Sequence, residues 1–365
     1  MAKVLIFNFD GTGNEPEDAV QEVKDSGEFE DESITNVLKF HLLLGGALKK
    51  GENQALPGGN RTFYYNGVGT YGNFFERLLN KGLAFEKWDV AKIINLAMAD
   101  FDNYYEDENF DKVLVTGFSR GAAIARRFAS LINGKVKDSG IIEAVFDTVA
   151  SIGMPDMNST DRPSSDVVFE HGCTLPDNVE KALHLVSLDD KRRAFQPTLM
   201  NHEEKVREVW FPGGHSDVGG GFYYDGLSDN AMHFFLDWIL DLGLGIELKR
   251  ADQIDYGNIL DTTRKFIIGQ DDVQVDPDPL GIMHQQKRGP ISSLITLTDR
   301  RCCVIENDRI KEDARPLVHW SVAERLASDR NYKPKSLKNI PHEILTKTGD
   351  IIEKTGFTDH RPQKS

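Results

Sequence analysis

Cysteine is scarce in this chain. There are three in 365 residues, an odd number with no C-x-x-C spacing, and two of them, Cys302 and Cys303, are adjacent. Neighbouring cysteines cannot bridge each other without strain, so reduced thiols in a cytosolic protein are expected. A chain of this length can bury a core without disulfide or metal staples. Long apolar runs are also missing. No stretch approaches the roughly 18 apolar residues of a membrane-spanning helix. The apolar start, Val4-Leu5-Ile6-Phe7, is too short for a signal peptide and soon meets Asp10. The chain is therefore expected to be cytoplasmic in the producing cell, with any export by a route that needs no cleaved signal. Basic charge is in deficit: 43 Lys and Arg against 58 Asp and Glu, a net charge of −15. That balance argues against a nucleic-acid partner, because phosphate backbones are held by clustered cations. It also repels an anionic membrane surface at long range.

What is present is ordinary for a globular enzyme: 39% hydrophobic and 28% charged residues, with no internal repeat and no low-complexity segment. Short β-rich runs alternate with helical stretches, the pattern of a mostly parallel sheet flanked by helices. Strands are expected over 3–9, 62–65, 112–116, 141–146, 182–188 and 206–211. Helices are expected over 34–44 with Ser33 as its cap, near 74–79, and over 88–105, 122–132, 230–244 and 321–327. Residues 15–32 read as an acidic surface stretch. One domain over 1–345 with C-terminal elaborations, followed by a polar tail over 346–365, is the simplest organisation.

The decisive stretch is Val113-Leu114-Val115-Thr116-Gly117-Phe118-Ser119-Arg120-Gly121-Ala122-Ala123. It matches G-x-S-x-G, with an apolar strand before and a small-residue helix after. A chain turning this sharply from strand to helix strains the serine backbone, and the glycines remove Cβ atoms that would collide across the turn. The turn exposes the serine Oγ and aims the Arg120 N–H and the positive helix end at a developing oxyanion. The fold class expected is α/β, α/β-hydrolase-like.

A serine hydroxyl needs a base, and the base needs a third group to orient it. In this fold the order along the chain is Ser, then Asp or Glu, then His. His215 fits as the base. It follows the strand over 206–211 within Gly213-Gly214-His215-Ser216-Asp217-Val218-Gly219-Gly220-Gly221, where five glycines suit close approach to a ligand or another backbone. Two positions can supply the acid. Asp147 ends the strand after the nucleophile helix and is favoured. Asp189, with Asp190, ends the next strand, but Lys191-Arg192-Arg193 offers those carboxylates an ion-pair role. Asp217 is expected to shape its own loop by a side-chain hydrogen bond.

Phe7-Asn8-Phe9-Asp10-Gly11-Thr12 resembles the first loop of aspartate-nucleophile phosphatases, D-x-D-G-T. Here Asn8 replaces the nucleophilic aspartate, and an amide cannot form an aspartyl phosphate. The loop suits a different role. Gly11 or Thr12 can present the second N–H of an oxyanion hole, with Asp10 holding the loop or pairing with Arg120.

Taken together, Phe9-Asp10-Gly11-Thr12-Gly13-Asn14, Thr35-Asn36-Val37, Tyr65-Asn66-Gly67-Val68-Gly69-Thr70, Gly117–Ala122, Phe146-Asp147-Thr148-Val149-Ala150-Ser151 and Trp210–Gly221 resemble the DUF2235 α/β-hydrolase family, which includes the first lipase family of type VI secretion effectors. The resemblance runs from about residue 3 to about 330. It implies a Ser119–Asp147–His215 triad, with Gly117, Gly121, Asp10 and Asp217 in support. It also implies hydrolysis of lipid esters without a metal or cofactor. The partners it implies are an ester or phospholipid substrate, a membrane surface, and a secretion component or immunity protein. Effector phospholipases of that family are longer and carry a membrane-anchoring module, for which this chain has little room. Two other classes remain open: a soluble esterase or amidase with a non-lipid substrate, and a non-catalytic binding protein on the same fold. An apolar lid is to be sought over 74–85 or 280–295.

Overall fold

The computed structural model describes residues 2–11, 31, 33–48, 55–67, 84–137, 140–149, 175–259, 268–284, 297–307 and 309–360. Apolar alternation builds the centre of the sheet. In β3 (Lys112–Phe118), Leu114 packs on one face while Val113 and Val115 pack on the other. In β1 (Val4–Phe9), Ile6 faces one way and Leu5 and Phe7 the other. Strands buried on both faces need this continuous apolar sequence, because helices cover each side.

Around these two lie β2 (Arg61–Tyr65), β4 (Ile141–Phe146), β5 (Val179–Ser187) and β6 (Val206–Phe211). Three later strands, β9 (Leu317–His319), β10 (Pro341–Leu345) and β11 (Ile351–Thr355), extend the sheet. The order is β11-β10-β9-β6-β5-β4-β3-β1-β2. All neighbours are parallel except β10 and β11. A separate two-stranded ladder joins β7 (Ile305–Glu306) and β8 (Arg309–Ile310). On one face pack α1 (Asn36–Leu43) and α5 (Gly226–Asp241), through residues such as Phe40 and Phe235. On the other pack α2 (Ala84–Tyr104) and α3 (Ser119–Ile132), through Phe101 and Phe128. The short helices α4 (Ser216–Gly219) and α6 (Gln270–Val273) follow β6, and α7 (Trp320–Ser328) follows β9. A third apolar cluster around Trp210, Val318 and Leu326 ties the late strands to the core.

The mostly parallel, helix-flanked sheet matches the architecture expected from sequence, and β4 and β6 fall at the expected residues. Several details differ. Helix α1 is capped by Thr35, whose Oγ1 accepts from the Leu38 N–H at 3.2 Å; the Ser33 hydroxyl donates instead to Asp272. Helix α3 starts at Ser119 rather than 122, so the nucleophile candidate stands at the junction of strand and helix. Strand β9 has three residues, too few for periodicity to show. Strand β11 lies within the polar stretch 346–365 because it is an exposed sheet edge with little apolar area to bury. The expected helix near 74–79 and nearly all of the acidic stretch 15–32 lie outside the described residues. Cys302 and Cys303 are buried and unbridged. Burial pushes the Cys303 thiol up to about 12 and raises Cys302 well above its ordinary value, so both stay protonated at neutral pH. Cys173 lies outside the described residues.

Candidate active site

The elbow is built as its glycines require. Ser119 has φ +57°, a left-handed conformation that costs a non-glycine residue roughly 1–2 kcal/mol. A Cβ on Gly117 would meet the Gly121 carbonyl oxygen at 2.6 Å. One on Gly121 would meet the carbonyl oxygens of Asp10 and Phe9 at 2.2 and 2.3 Å. The first loop therefore lies directly against the start of α3. Gly121→Ala is expected to destabilise the chain by at least about 1–3 kcal/mol, since the clash is with backbone that cannot rotate away. Chemical denaturation would measure it, and an unchanged midpoint would contradict the close approach.

Asp10 organises this loop. Its carboxylate accepts from the Gly11 N–H at 2.6 Å, the Thr35 hydroxyl at 2.7–2.8 Å and the Tyr64 hydroxyl at 2.5 Å. The Gly11 amide, one of the expected oxyanion donors, donates to Asp10 in this structure. Thr12 lies outside the described residues. Asn8, at the position of the phosphatase nucleophile, is fully buried inside the sheet. Its amide donates to Thr62 and Phe63, and its oxygen accepts from Thr116. Asn8 is thus a strand cross-link.

His215 and Asp147 come together. The Nδ1 of His215 lies 2.5 Å from Asp147 Oδ2. The His215 ring packs against Phe118, the residue before Ser119, with centroids 4.5 Å apart, and against Phe195 at 5.0 Å. Its Nε2 is buried and has no hydrogen-bond partner among the described residues. Burial holds the His215 pKa below its ordinary value even though Asp147 pulls it upward, so the ring is neutral at pH 7. Neutral imidazole with Nδ1 given to a carboxylate leaves Nε2 as the basic atom.

Asp147 follows β4 with φ +38°. Its N–H donates to the Leu185 carbonyl at 2.7 Å, and its Oδ1 accepts from the Ser187 N–H at 3.0 Å. The Val149 N–H donates to the Ser119 carbonyl at 3.1 Å, tying this turn to the elbow. Burial would raise the Asp147 carboxyl, but the Arg300 guanidinium and His215 overcome it and hold it well below the usual carboxylate range.

Asp189, the alternative acid, is placed differently. It accepts from the Gly213 N–H at 2.8 Å and the Tyr332 hydroxyl at 2.7 Å. Burial pushes it up to about 6 against those two donors. Asp190 has the expected ion-pair role, with Arg192 Nη2 at 2.7 Å, and it also accepts from the His215 N–H at 3.2 Å. Asp217 accepts from the Gly214 N–H at 2.8 Å, as expected, and additionally meets His284 Nδ1 at 2.5 Å. The glycine run approaches another backbone: Gly220, at φ +84°, pairs with Thr35, and a Cβ there would meet the Asn36 nitrogen at 2.6 Å. Asn36 in turn donates to the carbonyls of Val218 and Ser228.

Arg300 had no signal in the sequence. It stands in Thr298-Asp299-Arg300-Arg301-Cys302, which matches no motif, and reaches the site only through the tertiary fold. Among the described residues, no group of three or more His, Cys, Asp or Glu side chains is arranged to hold a metal ion.

A parallel sheet whose central strand delivers a strained serine into a helix, with a histidine and an aspartate meeting at the same sheet edge, is the arrangement of the α/β-hydrolase class. Within that class the chain belongs to the family described as the catalytic domain of Tle1-like phospholipase effectors of the type VI secretion system, whose model matches residues 3–144 and 136–242. Solved structures resemble it distantly. An uncharacterised protein from Pseudomonas aeruginosa is 18% identical over 75% of this chain and 49% of that one, with a TM-score of 0.41. The Tle1 effector bound to the VgrG spike of the type 6 secretion system is 22% identical over 60% of this chain and 51% of that one, with a TM-score of 0.34. A structure from work on the metagenome-derived lipolytic enzymes LipS and LipT is 10% identical over 66% of this chain and 94% of that one, with a TM-score of 0.35. The chain spans about half the length of the first two. No curated protein matches it.

Proposed function

We propose that this chain hydrolyses carboxylic esters, with the acyl esters of phospholipids as its substrates, through Ser119, His215 and Asp147. The observation that carries the reading is the His215 ring: Nδ1 is fixed on Asp147 at 2.5 Å, the buried Nε2 is unbonded, and the ring packs on Phe118, the residue before Ser119. Ser119 Oγ attacks the ester carbonyl as Nε2 takes its proton. The same nitrogen returns the proton to the leaving alcohol, and water then releases the acyl group from Ser119 by the reverse sequence. Asp147 orients the ring and offsets the charge of the imidazolium. The Arg120 amide, in the first turn of α3, and the positive helix end stabilise the oxyanion.

The phospholipid assignment rests on the family, and with it a role as a type VI secretion effector. No described helix is long and apolar enough to cross a membrane. A secretion-spike component is the partner proposed for delivery, and an immunity protein the partner proposed for protecting the producer.

A fluorophosphonate probe is expected to label the wild-type chain at Ser119 and to leave Ser119→Ala unlabelled. Zwitterionic phospholipid vesicles are expected to release fatty acid and lysophospholipid with the wild type alone. Absence of labelling together with equal release from both proteins would overturn the hydrolase reading. Cleavage of p-nitrophenyl esters with none from vesicles would end the phospholipid reading.

A further inference from the structure

The family match ends at residue 242, yet three carboxylates around the His215 loop are each held by a residue from beyond it. Asp217 meets His284, Asp189 meets Tyr332, and Asp147 meets Arg300. The third contact is the most demanding. Arg300 Nη1 and Nη2 bond Asp147 Oδ1 and Oδ2 at 2.6 and 2.8 Å, a two-pronged fork that uses both carboxylate oxygens. Nη1 also donates to the Ser187 carbonyl at 2.8 Å and its hydroxyl at 2.7 Å, and Nη2 to the Phe195 carbonyl at 2.5 Å. The Asp147 and Arg300 side chains are both fully buried. The segment that carries Arg300 is anchored on both sides: Thr298 N–H donates to the Lys191 carbonyl, and Cys302 N–H to the Ser336 carbonyl.

Such a fork does two things that a hydrogen bond to Asp147 from a neutral group could not. It fixes the plane of the carboxylate, and hence the direction from which Oδ2 meets the imidazole. It also places a permanent positive charge next to a buried acid–base pair. Among the described residues, the charged groups facing that pair are Asp190 and Arg192, which bond each other, and Asp189, which is held by Gly213 and Tyr332. With Asp190 and Arg192 offsetting each other, Arg300 is the cation that balances Asp147.

We propose that Arg300 is a positioning residue for ester hydrolysis: its fork sets the Asp147 carboxylate on His215, and its charge offsets that of Asp147 beside the imidazole that is to accept the Ser119 proton. The inference rests on the triad reading above. Its physical consequence is specific. Removing the cation leaves an uncompensated carboxylate beside His215, so the Asp147–His215 pair binds its proton more tightly. The acid limb of the activity profile then moves to higher pH, by about one unit or more. A residue that merely fills space would not move that limb.

The test uses the full chain and a water-soluble p-nitrophenyl ester, with kcat and KM measured from acid to alkaline pH for wild type, Arg300→Gln and Arg300→Lys. Folding is checked by circular dichroism. In Arg300→Gln the limb is expected to rise by about one unit and kcat to fall about 10- to 100-fold, with KM nearly unchanged. In Arg300→Lys the charge returns without the fork, so the limb is expected near its wild-type position while kcat stays reduced. A folded Arg300→Gln protein with an unmoved limb would overturn the proposal. If that variant does not fold, Arg300→Lys decides alone: a wild-type kcat would overturn it, and a reduced kcat at unchanged KM would support it. A wild type with no Ser119-dependent hydrolysis would bring down the triad reading and this proposal together. An active wild type with an unresponsive limb would bring down only the role of Arg300.

Discussion

Ser119→Ala is expected to lower ester turnover by about 10⁴- to 10⁶-fold while leaving the fold intact. The two halves of this expectation have separate physical grounds. Activity falls because the alanine side chain has nothing to attack with, and the oxyanion donors alone give only a small residual rate. Stability holds because serine and alanine both carry a Cβ, so each experiences a similar strain at φ +57°. A companion variant separates strain from chemistry. Ser119→Gly is equally inactive, but glycine enters the left-handed region freely, so this protein is expected to be more stable than wild type by about 1 kcal/mol. The sign of that change, read from thermal or chemical unfolding, tests whether the elbow stores strain. A less stable Ser119→Gly would contradict it.

Asp147→Asn is expected to lower kcat by about 10⁴-fold. The amide can turn an N–H toward His215 Nδ1. The ring must then carry its proton on Nε2, where it cannot accept one from Ser119. Backbone strain does not grow, because asparagine tolerates positive φ well. The cost to stability comes from elsewhere. Arg300 would be left as a buried cation without its carboxylate, and breaking such a pair from one side costs about 3–5 kcal/mol. The double variant Asp147→Asn/Arg300→Gln removes both charges and is expected to recover most of that stability while recovering no activity. Kinetics and denaturation on the single and double variants check the expectation. A double variant as unstable as the single would show that the cost is not an uncompensated charge.

Much of the site is legible in the sequence because its chemistry is local. Gly117 and Gly121 are needed by a turn five residues long, so strand, serine, glycine and helix appear in one stretch. His215 is legible because strand β6 and the glycine run flank it directly. Asp147 is separable from Asp189 only as a preference. Both end strands of the same sheet, and their difference lies in what the next residues bond. Asp189 is taken by the Gly213 amide and Tyr332. The Gly11 amide escapes a sequence reading for a related reason. The sequence shows that a loop must approach the elbow, but not that Asp10 accepts from its own neighbour at 2.6 Å.

The sequence by itself determined the class of fold, the strand-to-helix elbow at Ser119 and the order along the chain of the proposed nucleophile, acid and base. These follow from periodicity, from glycine at tight turns and from the succession of parallel strands, all of which act over a few neighbouring residues. Tertiary structure alone decided that His215 meets Asp147 and that the Asp217 loop is closed by His284. It alone decided that Arg300, 153 positions from Asp147, lies fully buried against it. A buried charge announces itself by its partner, and the partner becomes a neighbour only when the chain folds.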